Sequence, residues 1–315
     1  MQNKFMNERI GIVGAGLIGR AWAIVFARAG CTVAVYDADT RALDGCVALL
    51  RENIADLAQH GLITEDPETV LARITPAPTL AEAVQGAILV QENVRETVEV
   101  KKSIFAEMDR LAAPDTILAS STSWIPASAF SADLPGRARI MVAHPVNPPY
   151  LVPLVELAPA PWTSPQAVER AHQIFTQCGQ TPVVLHKEIT GFLLNRIQGA
   201  VLNEMLNLYA DGYASVEDLD KVMKDGLGMR WAFMGPFETI DLNAPGGVVD
   251  YAARYGPTYK EVSAGQAANE WRADVLTQIE AERRAILPAT GLSERARWRD
   301  NRLMALVGHK REQRS

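Results

Sequence analysis

Cysteine is scarce in this sequence, and long apolar runs are absent. The three cysteines, Cys31, Cys46 and Cys178, have no paired spacing, which argues against a disulfide framework or a zinc site. The five histidines show no metal-ligand spacing either. No apolar segment reaches the roughly 18 residues of a spanning helix, and residues 1–8 lack a secretory pattern. These absences favour a metal-free protein of the reducing cytoplasm.

The charge balance also excludes classes of partner. The formal net charge is −6 and the sequence pI is near 5.5, which argues against nucleic acid and anionic membranes as partners. A small anionic substrate stays compatible, because local charge can oppose the total. The 315 residues, 48% of them apolar, are enough for two domains of roughly 100–200 residues each.

A glycine-rich turn near the N-terminus has the pattern of a dinucleotide site. A short apolar strand at 9–13 leads into Gly14-Ala15-Gly16-Leu17-Ile18-Gly19 and then a helical pattern, and a second strand ends at Asp37. Gly14 permits the tight turn, Gly16 lets the pyrophosphate approach the backbone, and Gly19 lets helix and strand pack closely. The Asp37 carboxylate can accept hydrogen bonds from the adenosine ribose hydroxyls and would repel a 2′-phosphate. The pattern therefore predicts NAD rather than NADP, although Arg41 nearby weakens that preference.

Strand-like and helical segments alternate through the first 187 residues. Several strands end in polar residues, among them Glu92, the hydroxyl cluster 120–123 and His144. The cluster could instead cap a turn. The alternation predicts a Rossmann-like, doubly wound α/β sheet over residues 1–187, whose ligands sit at the carboxyl ends of the strands.

A histidine and a glutamate on neighbouring strands form a candidate acid/base pair. His144 follows the apolar residues 140–143, and Glu156 comes twelve residues later, beyond a proline-rich turn centred on Tyr150. If the chain reverses there, the two side chains can meet. A carboxylate bonded to one ring nitrogen leaves the other to move a proton. A structural histidine held by a buried glutamate gives the same pattern.

Residues 188–315 are expected to form an all-α domain. Thr190 is a candidate N-cap for a helix whose first turn contains Asn195. The glycine-punctuated segment 226–238 reads as a loop. Further helices are expected from about residues 237, 267 and 293. The charged residues 310–314 read as a solvated tail.

Several segments together resemble the 3-hydroxyacyl-CoA dehydrogenase superfamily over nearly the whole chain. They are His144-Pro145-Val146-Asn147-Pro148-Pro149-Tyr150, Val152-Pro153-Leu154-Val155-Glu156-Leu157, Gly226-Leu227-Gly228-Met229-Arg230 and Trp298-Arg299-Asp300. Within it, the sequence is most similar to the lambda-crystallin branch of L-gulonate 3-dehydrogenases.

The resemblance implies a role for each matching residue. His144 matches the catalytic base, Glu156 its partner, and Ser123 and Asn195 the groups that hold the substrate oxygen. Further matches belong to the cofactor site. Asn147 matches a residue near the nicotinamide end, and Glu96 and Lys101 match a pair that lines the cofactor cleft. The other residues expected to bind the cofactor are Gly14, Gly16, Leu17, Ile18, Gly19 and Asp37. The resemblance also implies a homodimer formed through the helical domain.

One departure bears on the substrate. Residues 230–233 lengthen the link between the Gly-x-Gly of 226–228 and the segment 234–238, and acyl-CoA enzymes usually have a shorter one. We hypothesise that Arg230 pairs with a free substrate carboxylate. The sequence therefore favours oxidation of a free 3-hydroxy acid, with L-gulonate first. Carnitine, 3-hydroxybutyrate, a diketo compound, a 3-hydroxyacyl-CoA and a non-catalytic, crystallin-like role remain alternatives.

Overall fold

The computed structural model describes residues 4–313, which divide into two compact units. The first contains the chain up to Asn195 and again from Arg297 onward, and the second contains residues 196–296. The first unit extends past residue 187 because hydrogen bonds tie residues 193–195 to it. Within the described residues, no helix combines the length and apolarity needed to cross a membrane.

A single sheet of eight strands, counted over residues 4–313, organises the first unit. Its order is β3-β2-β1-β4-β5-β6-β7-β8, and neighbouring strands are parallel except β6 and β7, which are antiparallel. The doubly wound parallel sheet predicted from the alternation is confirmed. The strands are β1 (Arg9–Val13), β2 (Thr32–Tyr36), β3 (Ile74–Pro76), β4 (Ala87–Glu92), β5 (Ile117–Ser120), β6 (Ile140–Pro145), β7 (Leu154–Pro159) and β8 (Thr181–Val184).

Helices cover both faces of this sheet, as parallel strands with crossover connections require. Trp22, Phe26 and Phe175 form an aromatic cluster between two of them, with ring centroids 5.3–5.9 Å apart. These helices are α1 (Leu17–Arg28), α2 (Thr40–Gln59), α3 (Pro67–Ala72), α4 (Leu80–Val84), α5 (Val98–Leu111), α6 (Ser128–Ser131) and α7 (Pro165–Gln177).

The second unit is built from helices. They are α8 (Leu194–Ala210), which begins in the first unit, α9 (Val216–Lys221), α10 (Gly228–Trp231), α11 (Pro236–Leu242), α12 (Gly247–Gly265) and α13 (Ala273–Ile286). The expected loop at 226–238 is wrong: a π-helical turn (Val222–Leu227) runs directly into α10. Glycine permits the close backbone approach at this junction, since a Cβ on Gly228 would lie 2.8 Å from the Met223 carbonyl oxygen.

The C-terminal segment is a helix rather than a solvated tail. Helix α14 (Leu292–Glu312) returns to the first unit, where Met304 is buried in its main apolar core. The Arg311 guanidinium donates to the Leu62 carbonyl at 3.2 Å. The expectation of a tail at 310–314 is therefore wrong over residues 310–312, because the helix continues through them. Arg314 lies outside the described residues.

A buried ion pair joins β4 to α5. Lys101 and Glu92 are 1% and 0% exposed, and the Lys101 Nζ lies 2.9 Å from Glu92 Oε2. Ser120 Oγ on β5 donates to the same carboxylate at 2.5 Å. Burial raises the pKa of Glu92 above its ordinary range, although Lys101 and Ser120 favour the charged form.

Removing the cation alone should destabilise the protein. We expect Lys101→Met to lower the free energy of unfolding by about 3–5 kcal/mol, because it leaves a buried carboxylate uncompensated. Lys101 holds the pKa of Glu92 below the value that burial alone would give, so its loss raises that pKa further and the folded variant binds a proton more readily than the wild type does. The deficit should therefore grow as the pH rises from 5 to 8. Urea unfolding at several pH values measures this. The matched double variant Glu92→Gln/Lys101→Met should show a smaller deficit without that pH trend; an equal deficit would contradict the role assigned to the unpaired carboxylate.

Candidate active site

His144 and Glu156 face each other across β6 and β7. The antiparallel register pairs the two positions directly, and His144 Nδ1 lies 2.8 Å from Glu156 Oε2. Both side chains are buried, with 5% and 1% exposure. The chain reversal suggested by the spacing is present, and it brings the two residues together. The catalytic roles of the pair stay predictions.

The second carboxylate oxygen of Glu156 binds the start of α8. Its Oε1 accepts the backbone N–H groups of Leu193 at 2.8 Å and Leu194 at 2.9 Å. Burial opposes ionisation of Glu156, but the hydrogen bonds from His144 and these two amides outweigh it and lower its pKa. An ionised carboxylate can only accept, so His144 Nδ1 donates the proton of that bond. In a neutral ring, Nε2 is then free to accept a proton from a substrate.

Phe192 lies against the imidazole ring of His144. Its backbone has φ +48°, in the left-handed region that favours glycine, and its side chain is fully buried. The ring centroid lies 5.5 Å from that of His144. Such strain persists only where surrounding contacts impose it, and it concentrates at functional sites. Sequence reasoning missed Phe192, because an apolar residue ahead of a helix carries no signal of its conformation.

Ser123 and Asn195 are linked through the backbone. Asn195 Nδ2 donates to the Ser123 carbonyl oxygen at 2.9 Å. Glu96 holds the same loop, since its Oε1 accepts the Ser123 N–H at 2.9 Å and the Thr122 hydroxyl. The four residues expected to be catalytic therefore form two linked pairs, and Asn195 directly follows the amides that bind Glu156.

Glu96 and Lys101, both expected to line the cofactor cleft, bind different parts of the first unit. Glu96 binds the loop at residues 122–124, whereas Lys101 is engaged by Glu92. Lys101 is 1% exposed, which leaves its side chain almost no surface to line a cleft. The two side chains therefore have different partners. Direct cofactor contact by Glu96 and by Lys101 stays a prediction.

The glycine turn fits a pyrophosphate. Gly14 has φ +99°, and a Cβ there would lie 2.7 Å from the Asn93 carbonyl oxygen, whereas a Cβ on Gly19 would overlap the carbonyl oxygen of Gly14. A Cβ on Gly16 would meet nothing within 4 Å. Gly14 and Gly19 are thus required by packing. Gly16 faces open space at the N-terminus of α1, where an anion is favoured.

Asp37 is held beside this turn. Its two oxygens accept the backbone N–H groups of Ala15 at 2.7 Å and Asp39 at 2.9 Å. Arg41 pairs with Asp39 instead. Within residues 4–313 the Asp37 carboxylate forms no ion pair, and it fits the ribose of NAD.

The other expected contacts are less constrained by the protein. Leu17 is 58% exposed in the first turn of α1, and Ile18 is half-buried. Asn147 is exposed directly after β6. Arg230 lies on α10 in the second unit with an exposed side chain, and it forms no ion pair with an acid among residues 4–313. Their roles stay predictions.

A polar network underlies the strand ends and was only partly anticipated. Ser121 Oγ accepts from Trp22 Nε1 at 3.0 Å and Gln91 Nε2 at 2.7 Å, and it donates to Asn93 Oδ1 at 2.7 Å. The hydroxyl cluster at residues 120–123 is predicted from its position at the end of a strand. Gln91 and Asn93 were missed, although they follow the apolar core of β4 and carry the same positional signal.

The sheet order, the glycine turn and the buried His–Glu pair are those of a dinucleotide-dependent dehydrogenase. Residues 9–189 match the NAD binding domain of 3-hydroxyacyl-CoA dehydrogenase, and residues 191–275 match its C-terminal domain. The chain therefore belongs to the 3-hydroxyacyl-CoA dehydrogenase family of NAD-dependent oxidoreductases. The predicted family, fold class and cofactor are confirmed.

Individual relatives extend over most of the chain. Lambda-crystallin of Oryctolagus cuniculus is 40% identical over 306 residues, which is 96% of each chain. L-carnitine dehydrogenase of Streptomyces griseus is 36% identical, over 80% of this chain and 74% of that protein. A solved structure of 5-formyl-3-hydroxy-2-methylpyridine 4-carboxylic acid 5-dehydrogenase, an NAD+-dependent dismutase, has a TM-score of 0.82 and 27% identity, covering 97% and 98% of the two chains.

Two glycine substitutions should separate cofactor binding from folding. We expect Gly16→Ala to leave the melting temperature unchanged and to weaken NADH binding about 5- to 150-fold, since overpacking costs about 1–3 kcal/mol. Gly19→Ala should instead lower the melting temperature, because its Cβ overlaps backbone. Fluorescence titration and thermal melts measure the two effects. Unchanged NADH affinity in Gly16→Ala would contradict the placement of the pyrophosphate.

Replacing the carboxylate of the buried pair should affect both rate and stability. Glu156→Gln removes a charge-assisted hydrogen bond worth about 1.5–3 kcal/mol, which corresponds to a fall in kcat of roughly 10- to 150-fold. The lowered pKa of Glu156 stabilises the folded protein at neutral pH. That contribution is lost as the pH falls below about 4.3, the ordinary Glu value. The stability difference between the two proteins should therefore shrink toward acid pH; a constant difference would show that Glu156 is not held ionised.

Proposed function

We propose that this protein oxidises the 3-hydroxyl of a free 3-hydroxy acid with NAD, and that L-gulonate, giving 3-dehydro-L-gulonate, is the leading substrate. The observation that carries the proposal is the buried imidazole of His144, oriented by Glu156 so that Nε2 is free of protein hydrogen bonds within residues 4–313. Such a group suits the removal of a proton from a hydroxyl.

In this mechanism the protein moves a proton and holds an oxygen. His144 Nε2 accepts the substrate hydroxyl proton, and Glu156 stabilises the imidazolium that results. Ser123 and Asn195 hold the oxygen as it changes from hydroxyl to carbonyl. NAD, when bound, supplies the nicotinamide that accepts the hydride. General-base assistance of this kind contributes about 10²–10⁴-fold in rate.

The resemblance to the L-gulonate 3-dehydrogenase branch and one solved structure support a free acid rather than a CoA ester. Lambda-crystallin, whose branch the sequence resembles, matches nearly the full chain. The similar solved structure is named for a pyridine carboxylic acid, which is a substrate without a CoA group. Arg230 is the cation that we assign to the substrate carboxylate, because its planar guanidinium can bind one in a bidentate manner.

L-carnitine is the second candidate substrate. It is favoured by the 36% identity to a carnitine dehydrogenase, and it too carries a free carboxylate and a 3-hydroxyl. 3-Hydroxybutyrate, a diketo compound and a 3-hydroxyacyl-CoA follow. A non-catalytic, crystallin-like NADH-binding role is the alternative from another class, and the intact His144–Glu156 pair counts against it.

We further propose a cytoplasmic homodimer formed through the second unit. All three cysteines are free, which suits a reducing compartment. Several large apolar side chains of the second unit are exposed, including Phe237 at 82%, Val249 at 77% and Leu242 at 67%. Apolar surface of this extent is typical of an interface.

A substrate panel tests the proposed activity. We expect NADH absorbance to rise with NAD and L-gulonate, more slowly with L-carnitine and L-3-hydroxybutyrate, and least with the CoA ester. His144→Gln should lose about 10²–10⁴-fold in kcat and keep its affinity for NADH. Arg230→Ala should raise the KM for the acids, with little change for a neutral hydroxy ester used as control. Absence of turnover with every acid would favour the non-catalytic alternative, and an unchanged KM would remove the role of Arg230.

A further inference from the structure

A cavity of about 260 Å³ lies between α14 and the turn that joins β6 to β7. It belongs entirely to the first unit and is separate from the glycine turn. Apolar side chains of residues 151–153 and of α14 form most of its wall, including Leu306 and Val307. Three cations, Arg28, Lys310 and Arg311, also line it, and none of its lining residues in the described chain is acidic.

Arg28 is the innermost of these cations. It ends α1, is partly buried, and donates through Nη1 to the Tyr150 carbonyl oxygen at 2.7 Å. No carboxylate among residues 4–313 forms an ion pair with it. Burial and then repulsion from Arg311 lower the pKa of Arg28 to about 10. A partly buried cation without a counter-ion is costly to fold, and proteins ordinarily supply an acid or bind an anion there.

The last turn of α14 brings more positive charge to the same cavity. Arg311 is fixed by its hydrogen bond to the Leu62 carbonyl, and Lys310 precedes it on the helix. The arrangement therefore combines a cationic end with an apolar wall. That combination selects a molecule with one anionic group and one apolar group, and the volume restricts it to a small one.

We propose that this cavity binds a small carboxylate with a short apolar chain, at a site distinct from the catalytic pair. The planar guanidinium of Arg28 receives the carboxylate, Lys310 and Arg311 add charge at the rim, and the chain lies against Leu306 and Val307. The proposal does not rest on the proposed dehydrogenase activity, since the site contains none of its residues.

Calorimetric titration with hexanoate tests the site on the full-length protein. We expect saturable binding to the wild type. The Kd should be at least about tenfold higher in Lys310→Gln/Arg311→Gln, because the variant loses hydrogen bonds to charged groups and each such bond contributes about tenfold or more to affinity. Leu306→Trp should abolish binding by filling the cavity. Arg297→Gln removes a charge from the same helix away from the cavity and should bind as wild type does. Thermal melts establish that each variant is folded.

Additional titrations distinguish this cavity from the catalytic site and from a general anion site. Binding should persist in His144→Gln; its loss there would place hexanoate at the catalytic site and overturn the proposal. Acetate and inorganic phosphate at equal ionic strength should bind at least about tenfold more weakly, since neither has an apolar chain to bury. Equal binding of either ion, unchanged binding in the double variant, or no heat with hexanoate would each overturn it.

Discussion

The Glu156 carboxylate joins the sheet of the first unit to the start of α8. One oxygen accepts a hydrogen bond from His144 Nδ1, and the other accepts hydrogen bonds from the backbone N–H groups of Leu193 and Leu194 at the start of α8. These bonds also keep the buried carboxylate ionised, so that the charge needed beside the imidazole is maintained by the end of a helix. The orientation of the histidine and the starting point of α8 therefore depend on the same side chain.

Other features of the site follow from this constraint. Because α8 must begin beside Glu156, the preceding chain turns sharply, and Phe192 adopts a left-handed backbone there. The same start places Asn195 in the first turn, where it reaches the carbonyl of Ser123. Glu96 then fixes the other side of the Ser123 loop. Residues of β6, β7 and α8, and of the loops that follow β4 and β5, are thus held in place by hydrogen bonds to one another.

The sequence predicted the features that depend on local pattern. The glycine turn, the alternation of strands and helices in the first half and the meeting of His144 with Glu156 all follow from spacing within about twenty residues. It did not predict that Lys101 pairs with Glu92. Glu92 and Glu96 both lie near Lys101 in the sequence, and only the packing of the fold decides which of them it contacts. It also missed the return of α14, since charged residues at 310–312 look solvated unless the cavity wall they join is known.

The hairpin of β6 and β7 fixes the His144–Glu156 contact separately from the segment that connects the two strands. Positions 144 and 156 face each other through strand register, so the length of the connecting segment does not affect their contact. An insertion inside either strand would turn one of the two side chains to the opposite face of the sheet. An insertion between the strands would leave the pair intact and reshape only the surface around it. Related chains can therefore retain the buried His–Glu pair while the surface beside it changes in shape.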